Sequence, residues 1–182
     1  WEKLTGESSV GEWETVVVEF SNQQNPSSEL MQIQIPFATN NTTEIGPFGC
    51  GTYITFQTVE VPQSPTVLNA VYQQLFEISD FPNDDNTEIR NVIASQSSLE
   101  FDSVTIEDGN ASVFLSGTIM GNHCADVDFR KQIEEAAFQF ETVNQITVYL
   151  NNTVFDWCEL DLSDGEGPCP ENPQLWITEK QL

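Results

Sequence analysis

The sequence predicts an α+β fold in which two helices pack on one face of a mixed or antiparallel sheet. Short runs of alternating apolar residues and two amphipathic patterns follow one another in the order β-β-α-β-β-α-β. Each helical pattern carries one apolar stripe, and a shared sheet face buries both stripes. We divide the chain into an N-terminal extension (1–29) with one strand, WETVVVEF, a folded domain (30–157), and a disulfide-tied C-terminal tail (158–182).

Two strands open the folded domain, and we expect them to be neighbours in the sheet. In the first strand, apolar residues alternate with polar residues or with a proline, which is the period of a strand with one buried face. These apolar residues are Met31, Ile33, Ile35 and Phe37. The polar, turn-rich segment 38–51 then leads into a second strand, TYITFQTVEV.

The first helix is predicted to start at Ser64 and Pro65. A serine oxygen can accept an N–H group that the first helical turn leaves unsatisfied, and proline has no N–H of its own to satisfy. Apolar residues then recur at helical spacing and form one face: Val67, Leu68, Val71, Leu75 and Ile78. After an acidic segment at 80–88, a short helical turn is predicted around Ile89 to Ile93.

A β-hairpin is predicted after this turn. In its first strand, the alternation of apolar residues shifts by one position. Leu99 and Phe101 follow one alternation, and Val104 and Ile106 follow the other. A β-bulge near Asp102 reconciles the two registers. The pair Asp108-Gly109 then predicts a tight turn, because glycine tolerates the positive φ that such turns require.

The second helix is predicted to span roughly Asp126 to Phe140, with Asp126 or Asp128 as its cap. Its apolar face comprises Phe129, Ile133, Ala136, Ala137 and Phe140. Ile146, Val148 and Leu150 predict the last strand of the domain, which turns at Asn151-Asn152 into TVFDW. The tail ends in QLWITEKQL, which we interpret as an edge strand or a linker.

Three segments of the domain resemble the GerMN domain of bacterial spore-germination and cell-envelope lipoproteins. They are VPQSPTVLNAVYQQLF, VTIEDGNASVFLSG and FQFETVNQITVYLNNTVF, and with the residues between them they cover about half of the chain. The chain departs from the family pattern in having FEISDFP where a Gly-Pro commonly closes the first helix, and Asn152 where glycine is usual. These residues are structural, so the resemblance implies a fold and brings no catalytic residues.

The resemblance also implies a setting. Members of the family are secreted, lipid-anchored envelope proteins that act by binding other proteins. We therefore expect a non-catalytic, extracytoplasmic interaction module of a cell-envelope lipoprotein, with envelope proteins as partners and membrane contact only through a lipid anchor absent from this chain. Trp1 is not a natural start, so we expect a signal or anchor to have been removed.

The charge excludes some classes of partner. Twenty-nine acidic residues against five basic residues give a formal net charge of −24, and no Lys or Arg lies between Lys3 and Arg90. Nucleic acid is excluded because the surface cannot neutralise phosphates. An anionic membrane surface would repel the chain. The charge favours solubility, cation uptake or encounter with basic partners.

The four cysteines predict two disulfides in an oxidising compartment. Cys50, Cys124, Cys158 and Cys169 are even in number and widely spaced, whereas zinc and redox motifs use close pairs. Cys158 and Cys169 bracket the loop ELDLSDGEGP, which favours a local pair and leaves Cys50 to meet Cys124. Four cysteines permit three arrangements, so the connectivity stays open.

Calcium is the one cofactor that the sequence leaves open. Hard oxygen ligands gather around a glycine turn at Asp161, Ser163, Asp164 and Glu166, and a second acidic loop holds Asp80, Asp84, Asp85 and Glu88. Neither loop matches an EF-hand, and we favour solvated acidic loops in both cases.

An alternative function is a calcium-dependent carbohydrate-binding module or glycan hydrolase. It would use the acidic loops together with Trp1, Trp13, Trp157 and Trp176, whose rings could stack on sugars. We favour a structural role for these tryptophans because the residue type is largely buried on average. His123, the single histidine, precedes Cys124 and is interpreted as an ordinary loop or capping residue, because a nucleophile pair would need a free thiolate.

Overall fold

The computed structural model describes residues 29–79, 88–121, 124–157 and 178–180. The N-terminal run WETVVVEF and most of the C-terminal tail lie outside these residues. The helices are α1 (Val67–Glu77) and α2 (Cys124–Phe138). The strands are β1 (Leu30–Thr39), β2 (Tyr53–Pro62), β3 (Ile89–Arg90), β4 (Leu99–Glu107), β5 (Asn110–Gly117), β6 (Gln145–Leu150), β7 (Thr153–Val154) and β8 (Thr178–Glu179). No helix in the described part of the chain is both long and apolar enough to cross a membrane.

The predicted α+β class and element order are confirmed, but the strands divide between two sheets. The first sheet has the order β2-β1-β3 with antiparallel pairs, so the expected neighbours β1 and β2 do pair. The second has the order β4-β5-β6-β7, with β8 on β6, and its β5–β6 pair is parallel. Both sheets contribute to one apolar core.

The predicted hairpin and bulge of the second sheet are confirmed. Asp108 and Gly109 connect β4 to β5 with φ values of 51° and 83°, the positive pair that a tight hairpin turn requires. The β4–β5 register shifts between Phe101 and Ser103, which places the bulge at Asp102. Asn151 and Asn152 turn the chain from β6 to β7.

The first helix begins later than predicted, at Val67 instead of Ser64. Thr66 has φ −118° and ψ 83°, a non-helical conformation, and its side chain makes no capping hydrogen bond. The Ser64 hydroxyl accepts the N–H of Thr66 at 3.3 Å. This hydrogen bond stabilises a turn that precedes the helix. The helix buries Leu68, Val71 and Leu75 from the predicted stripe, together with Tyr72, whereas Val67 is 38% exposed.

Both helices lie on the same side of the first sheet, as predicted. Each contacts β1 and the other helix, while α1 also contacts β4 and α2 also contacts β6. The hydroxyl of Tyr72 on α1 donates to the carbonyl of Ile133 on α2 at 2.7 Å. Burial, and secondarily the charge of Glu134, raise the pKa of Tyr72 well above its usual value of 10.0. The phenol is therefore a neutral donor that ties the two helices together.

The second helix is buried on its polar face as well as on its apolar face. It runs from Cys124 to Phe138, two residues earlier at each end than predicted. The predicted stripe is buried except for the partly exposed Phe140, but four polar residues of the helix are buried too. These are Asp126, Asp128, Gln132 and Glu134. The sequence pattern indicated only the apolar face of this helix. It did not indicate that polar residues of the helix are buried as well.

The predicted helical turn around Ile89 to Ile93 is corrected by the structure. Ile89 and Arg90 form β3 and pair with β1, and a turn at 92–95 follows. The reason lies in Asn91, whose side-chain oxygen accepts the N–H groups of Ile93 at 3.1 Å and Ala94 at 3.3 Å. An asparagine that bonds the backbone two and three residues later acts as a cap, so the turn begins after Asn91 and leaves Ile89 and Arg90 free to pair with β1.

Candidate interaction surface

The basic residues Arg130 and Lys131 of α2 are directed at a buried carboxylate of the same helix. Arg130 Nε lies 2.6 Å from Glu134 Oε1, and Lys131 Nζ lies 2.8 Å from Glu134 Oε2. The Arg130 guanidinium also lies 5.6 Å from the ring centre of Trp157, and the Lys131 ammonium lies 5.2 Å from that of Phe48. A buried carboxylate needs such compensation, so we assign both cations to the stability of α2.

Arg90, from β3, meets a second buried carboxylate on α2. Its Nη2 lies 3.5 Å from Oδ2 of Asp128, whose side chain is 3% exposed, and its Nε lies 3.7 Å from Glu88. Burial raises the pKa of Asp128, while a hydrogen bond with Thr52 and the charge of Arg90 oppose that rise. Oδ1 of Asp128 has no hydrogen-bond partner among the described residues. The charge of the buried Asp128 carboxylate is therefore compensated only in part. We interpret its contact with Arg90 as a structural ion pair.

The last basic residue of the described chain is Lys180, next to β8. Its ammonium donates to the carbonyl of Phe138, the final residue of α2. All four described Lys and Arg side chains thus act on α2 or on a carboxylate of α2. On the side formed by α1 and β4, neither element carries a basic side chain, since residues 4–89 and 91–129 contain no Lys or Arg.

A groove of about 500 Å³ lies between α1 and β4 on that side. Its apolar floor is formed by Phe76 and Phe101, whose ring centres are 5.8 Å apart, and Phe101 stacks on buried Tyr72 at 5.5 Å. Leu99 and the polar groups of Asn69, Gln73, Glu77, Glu100 and Asp102 complete its lining. We name this set of residues the α1–β4 groove.

Among the described residues, the hydrogen bonds to carboxylates of the α1–β4 groove come from neutral donors. Gln73 and Gln74 donate to the two oxygens of Glu77 at 3.1 and 2.9 Å, and Ser116 donates to Asp102 at 2.9 Å. None of the ion pairs within the described residues involves Glu77, Glu100 or Asp102. No described cation therefore pairs with these three carboxylates.

Strand β4 also has a free edge in the described part of the chain. It ends the strand order of its sheet, so its outer side pairs with no other described strand. The bulge at Asp102 and the exposed acids Glu100 and Glu107 lie along this strand. Bulges and charges on an edge strand protect it against unspecific pairing.

Of the four cysteines predicted to form disulfides, the structure describes the side chain of Cys50. Cys50 is disulfide-bonded and lies in a turn, Gly49–Gly51, that packs against α2. The side chain of Cys124, the first residue of α2, and all of Cys158 and Cys169 lie outside what the structure describes. The pairing of Cys50 with Cys124 and of Cys158 with Cys169 stays a prediction.

Most of the predicted calcium ligands and His123 lie outside the described residues. This holds for the set Asp161, Ser163, Asp164 and Glu166 and for Asp80, Asp84 and Asp85. Glu88 is described, and it pairs with Arg90. In the described ranges, no group of three or more His, Cys, Asp or Glu side chains could hold a metal ion.

Trp157 is structural, as the sequence favoured for the tryptophans. It is 2% exposed and packs at 6.2 Å from Phe129 and edge-on at 5.2 Å from Phe155. Trp1, Trp13 and Trp176 lie outside the described residues. The sequence predicts Phe101 as an apolar residue of a strand, but it does not indicate that Phe76 and Phe101 line a groove. The lack of Lys and Arg in residues 4–89 and 91–129 indicated that α1 and β4 carry no positive charge. The contact between the rings of Phe76 and Phe101 depends on tertiary structure.

The comparisons with known proteins support the fold. No family model and no curated protein matches the sequence. The structure is similar to the tandem GerMN domains of the sporulation protein GerM from Bacillus subtilis, with a TM-score of 0.50 and 11% identity over 73% of this chain. This chain spans 43% of that one, less than half its length.

Two further solved structures are similar. One is the first GerMN domain of GerM from Bacillus subtilis, with a TM-score of 0.39 and 14% identity over 68% of this chain and 86% of that chain. The other is a protein from Clostridium perfringens described as a lipoprotein, with a TM-score of 0.35 and 15% identity over 70% of this chain and 78% of that chain. The similarity to the tandem GerMN domains gives the chain a GerMN-like fold, as its resemblance to the family implied.

Proposed function

We propose that this chain is a non-catalytic, extracytoplasmic protein-interaction module of a cell-envelope lipoprotein. The observation that carries the proposal is the α1–β4 groove. Within the described residues it combines an aromatic floor, carboxylates without ion pairs and a free strand edge. These are features by which one protein recognises a segment of another. The groove residues include no cysteine, serine or histidine.

The proposed location is supported by Cys50. This residue is disulfide-bonded, and disulfides persist in oxidising compartments outside the cytoplasm. The resemblance of the sequence to the GerMN family implies an envelope setting, and the similar tandem GerMN domains belong to a sporulation protein. Fold alone does not assign function, so the proposal is tested by binding.

The experiment is fold-dependent capture of envelope proteins. The folded chain is immobilised and incubated with a solubilised envelope fraction at about 0.15 M salt, where long-range charge effects are screened. The control is the same chain after reduction, alkylation and unfolding, which retains the acidic side chains. We expect a small set of proteins to bind the folded chain alone. Equal capture by both forms, or none by either, would contradict the proposal.

A glycan array separates this function from sugar recognition. The array is probed with the chain in calcium and again in a chelator. The interaction module predicts no sugar binding under either condition. Chelator-sensitive binding would instead indicate a calcium-dependent carbohydrate-binding module.

A further inference from the structure

We infer that the α1–β4 groove binds an extended, lysine- or arginine-bearing segment of a partner protein. This inference rests on the proposed function and names the chemistry of the segment. It follows from three properties of the groove, which are its charge, its aromatic floor and the strand edge beside it.

The charge of the groove selects a basic occupant. Glu77 and the exposed Glu100 and Asp102 lie around one opening, and no described ion pair involves any of them. The described cations are engaged elsewhere, by α2 and its carboxylates. An arriving cation therefore meets three carboxylates and no positive charge among the described residues that line the groove, which raises both its rate of encounter and its specificity.

The floor of the groove suits the same side chains. Phe76 and Phe101 are partly exposed, and the rings of Tyr72 and Phe101 stack beneath the opening. Lysine and arginine place an apolar stem on such a surface and their charge near ring faces or carboxylates. A volume of about 500 Å³ accommodates a few side chains but not a folded domain.

The strand edge favours an extended segment and argues against two other occupants. The outer side of β4 has no partner strand among the described residues, so it can hydrogen-bond an added strand. A second copy of this chain would bring its own acidic β4 and be repelled. The N-terminal residues 1–28 carry five glutamates and one lysine, so they match the groove poorly.

The test measures binding of a synthetic peptide of alternating lysine and threonine to the whole chain, by fluorescence anisotropy at about 0.15 M salt. The groove variant is Glu77→Gln with Glu100→Gln and Asp102→Asn. The matched control is Glu29→Gln with Glu60→Gln and Glu141→Gln, which changes the net charge equally outside the groove. A peptide of alternating glutamate and threonine serves as the opposite-charge probe.

We expect the lysine peptide to bind the native chain and the matched control within about twofold of each other, and the groove variant about tenfold more weakly, since three modest charge pairs are removed. The acidic peptide should not bind. Equal weakening in both variants would show general attraction to an acidic protein and overturn the inference. Absence of lysine-peptide binding would overturn it as well, and so would a dimer of the native chain that the groove variant abolishes.

The same variants separate this inference from the proposed function. If an envelope protein binds the native chain and the groove variant equally well, the inference fails and the proposed function stands. If the native chain captures no envelope protein, the proposed function fails. Loss of capture in the groove variant alone supports both.

Discussion

Gln132 and Asn91 join their side-chain amides inside the protein, with Nε2 of Gln132 lying 3.3 Å from Oδ1 of Asn91. Gln132 also donates to the carbonyl of Pro36 at 2.9 Å and accepts the N–H of Val92 at 3.0 Å. Asn91 donates to the carbonyls of Leu75 and Ile78, both at 2.7 Å. One buried amide pair thus connects α2, β1, the end of α1 and the turn after β3.

Replacing Gln132 by Met should destabilise the fold. The substitution keeps the length of the side chain but leaves the N–H of Val92 and the carbonyl of Pro36 without their amide partner. We expect a loss of about 2 to 4 kcal/mol in the free energy of unfolding, measured by urea denaturation. Gln73→Met, at an exposed position of α1, is the matched control and should change it by less than about 0.5 kcal/mol. Equal effects would refute the structural role of the amide pair.

Truncation of either helix stripe should also destabilise the fold. Leu75 and Ile133 are both 0% exposed. Changing either to Ala should cost about 2 to 5 kcal/mol, because apolar contact is lost and a cavity remains. Val67→Ala, at a residue that is 38% exposed, is the control and should cost less than about 1 kcal/mol. A negligible shift of the unfolding midpoint for both core variants would show that the stripes are misplaced.

The buried carboxyl of Asp128 should make stability depend on pH. Burial raises its pKa above 3.8. Between 3.8 and the raised pKa, the folded state binds the proton more strongly than the unfolded state does, so this group's contribution falls as pH rises through that window. Asp128→Asn removes the buried charge, and we expect it to be more stable than the native chain at pH 7. The difference should shrink as the pH falls toward 3.8.

The measurement for Asp128 is the free energy of unfolding across this pH range. Asp102→Asn makes the same chemical change at an exposed position of β4 and serves as control, with a shift below about 0.5 kcal/mol. A less stable Asp128→Asn variant at pH 7 would contradict the prediction. It would mean that Arg90 and Thr52 outweigh the burial of the charge.

We predict two disulfides, Cys50–Cys124 and Cys158–Cys169. Cys50 is disulfide-bonded, and its turn packs against the helix that starts at Cys124. The longer link should contribute roughly 4 kcal/mol in the loop-entropy model, so Cys50→Ala should destabilise the whole domain. Cys158→Ala should affect the tail alone. Non-reducing peptide mapping checks the pairs, and a Cys50–Cys158 peptide would refute them.

The local features of the fold could be predicted from the sequence because they depend on neighbouring residues. Asp108-Gly109 has the positive φ values that its turn predicts, and the change of parity between Phe101 and Val104 locates the bulge. Helix boundaries were less accurate. Ser64 and Pro65 have good helix-start chemistry, yet the backbone at Thr66 delays α1 to Val67.

Long-range features could not be predicted from local patterns. A polar helix face in a sequence is expected to be exposed to solvent. In the structure, the side chain of Gln132 on α2 donates a hydrogen bond to a backbone carbonyl of β1. The division of the strands into two sheets likewise depends on how the helices pack between β1 and the β4–β6 strands. The α1–β4 groove requires Phe76 and Phe101 to meet, and no spacing in the sequence indicates that contact.

The central claim, that the α1–β4 groove docks a partner, is tested most directly by site-specific photocrosslinking in an envelope fraction. A photoreactive residue is placed at Gln73, which is exposed in the groove, and separately at Gln32, which is exposed on β1. We predict one discrete crosslinked protein from position 73, with its contact in a lysine- or arginine-bearing segment, and none from position 32. The same product from both positions, or a product from position 32 alone, would contradict the account.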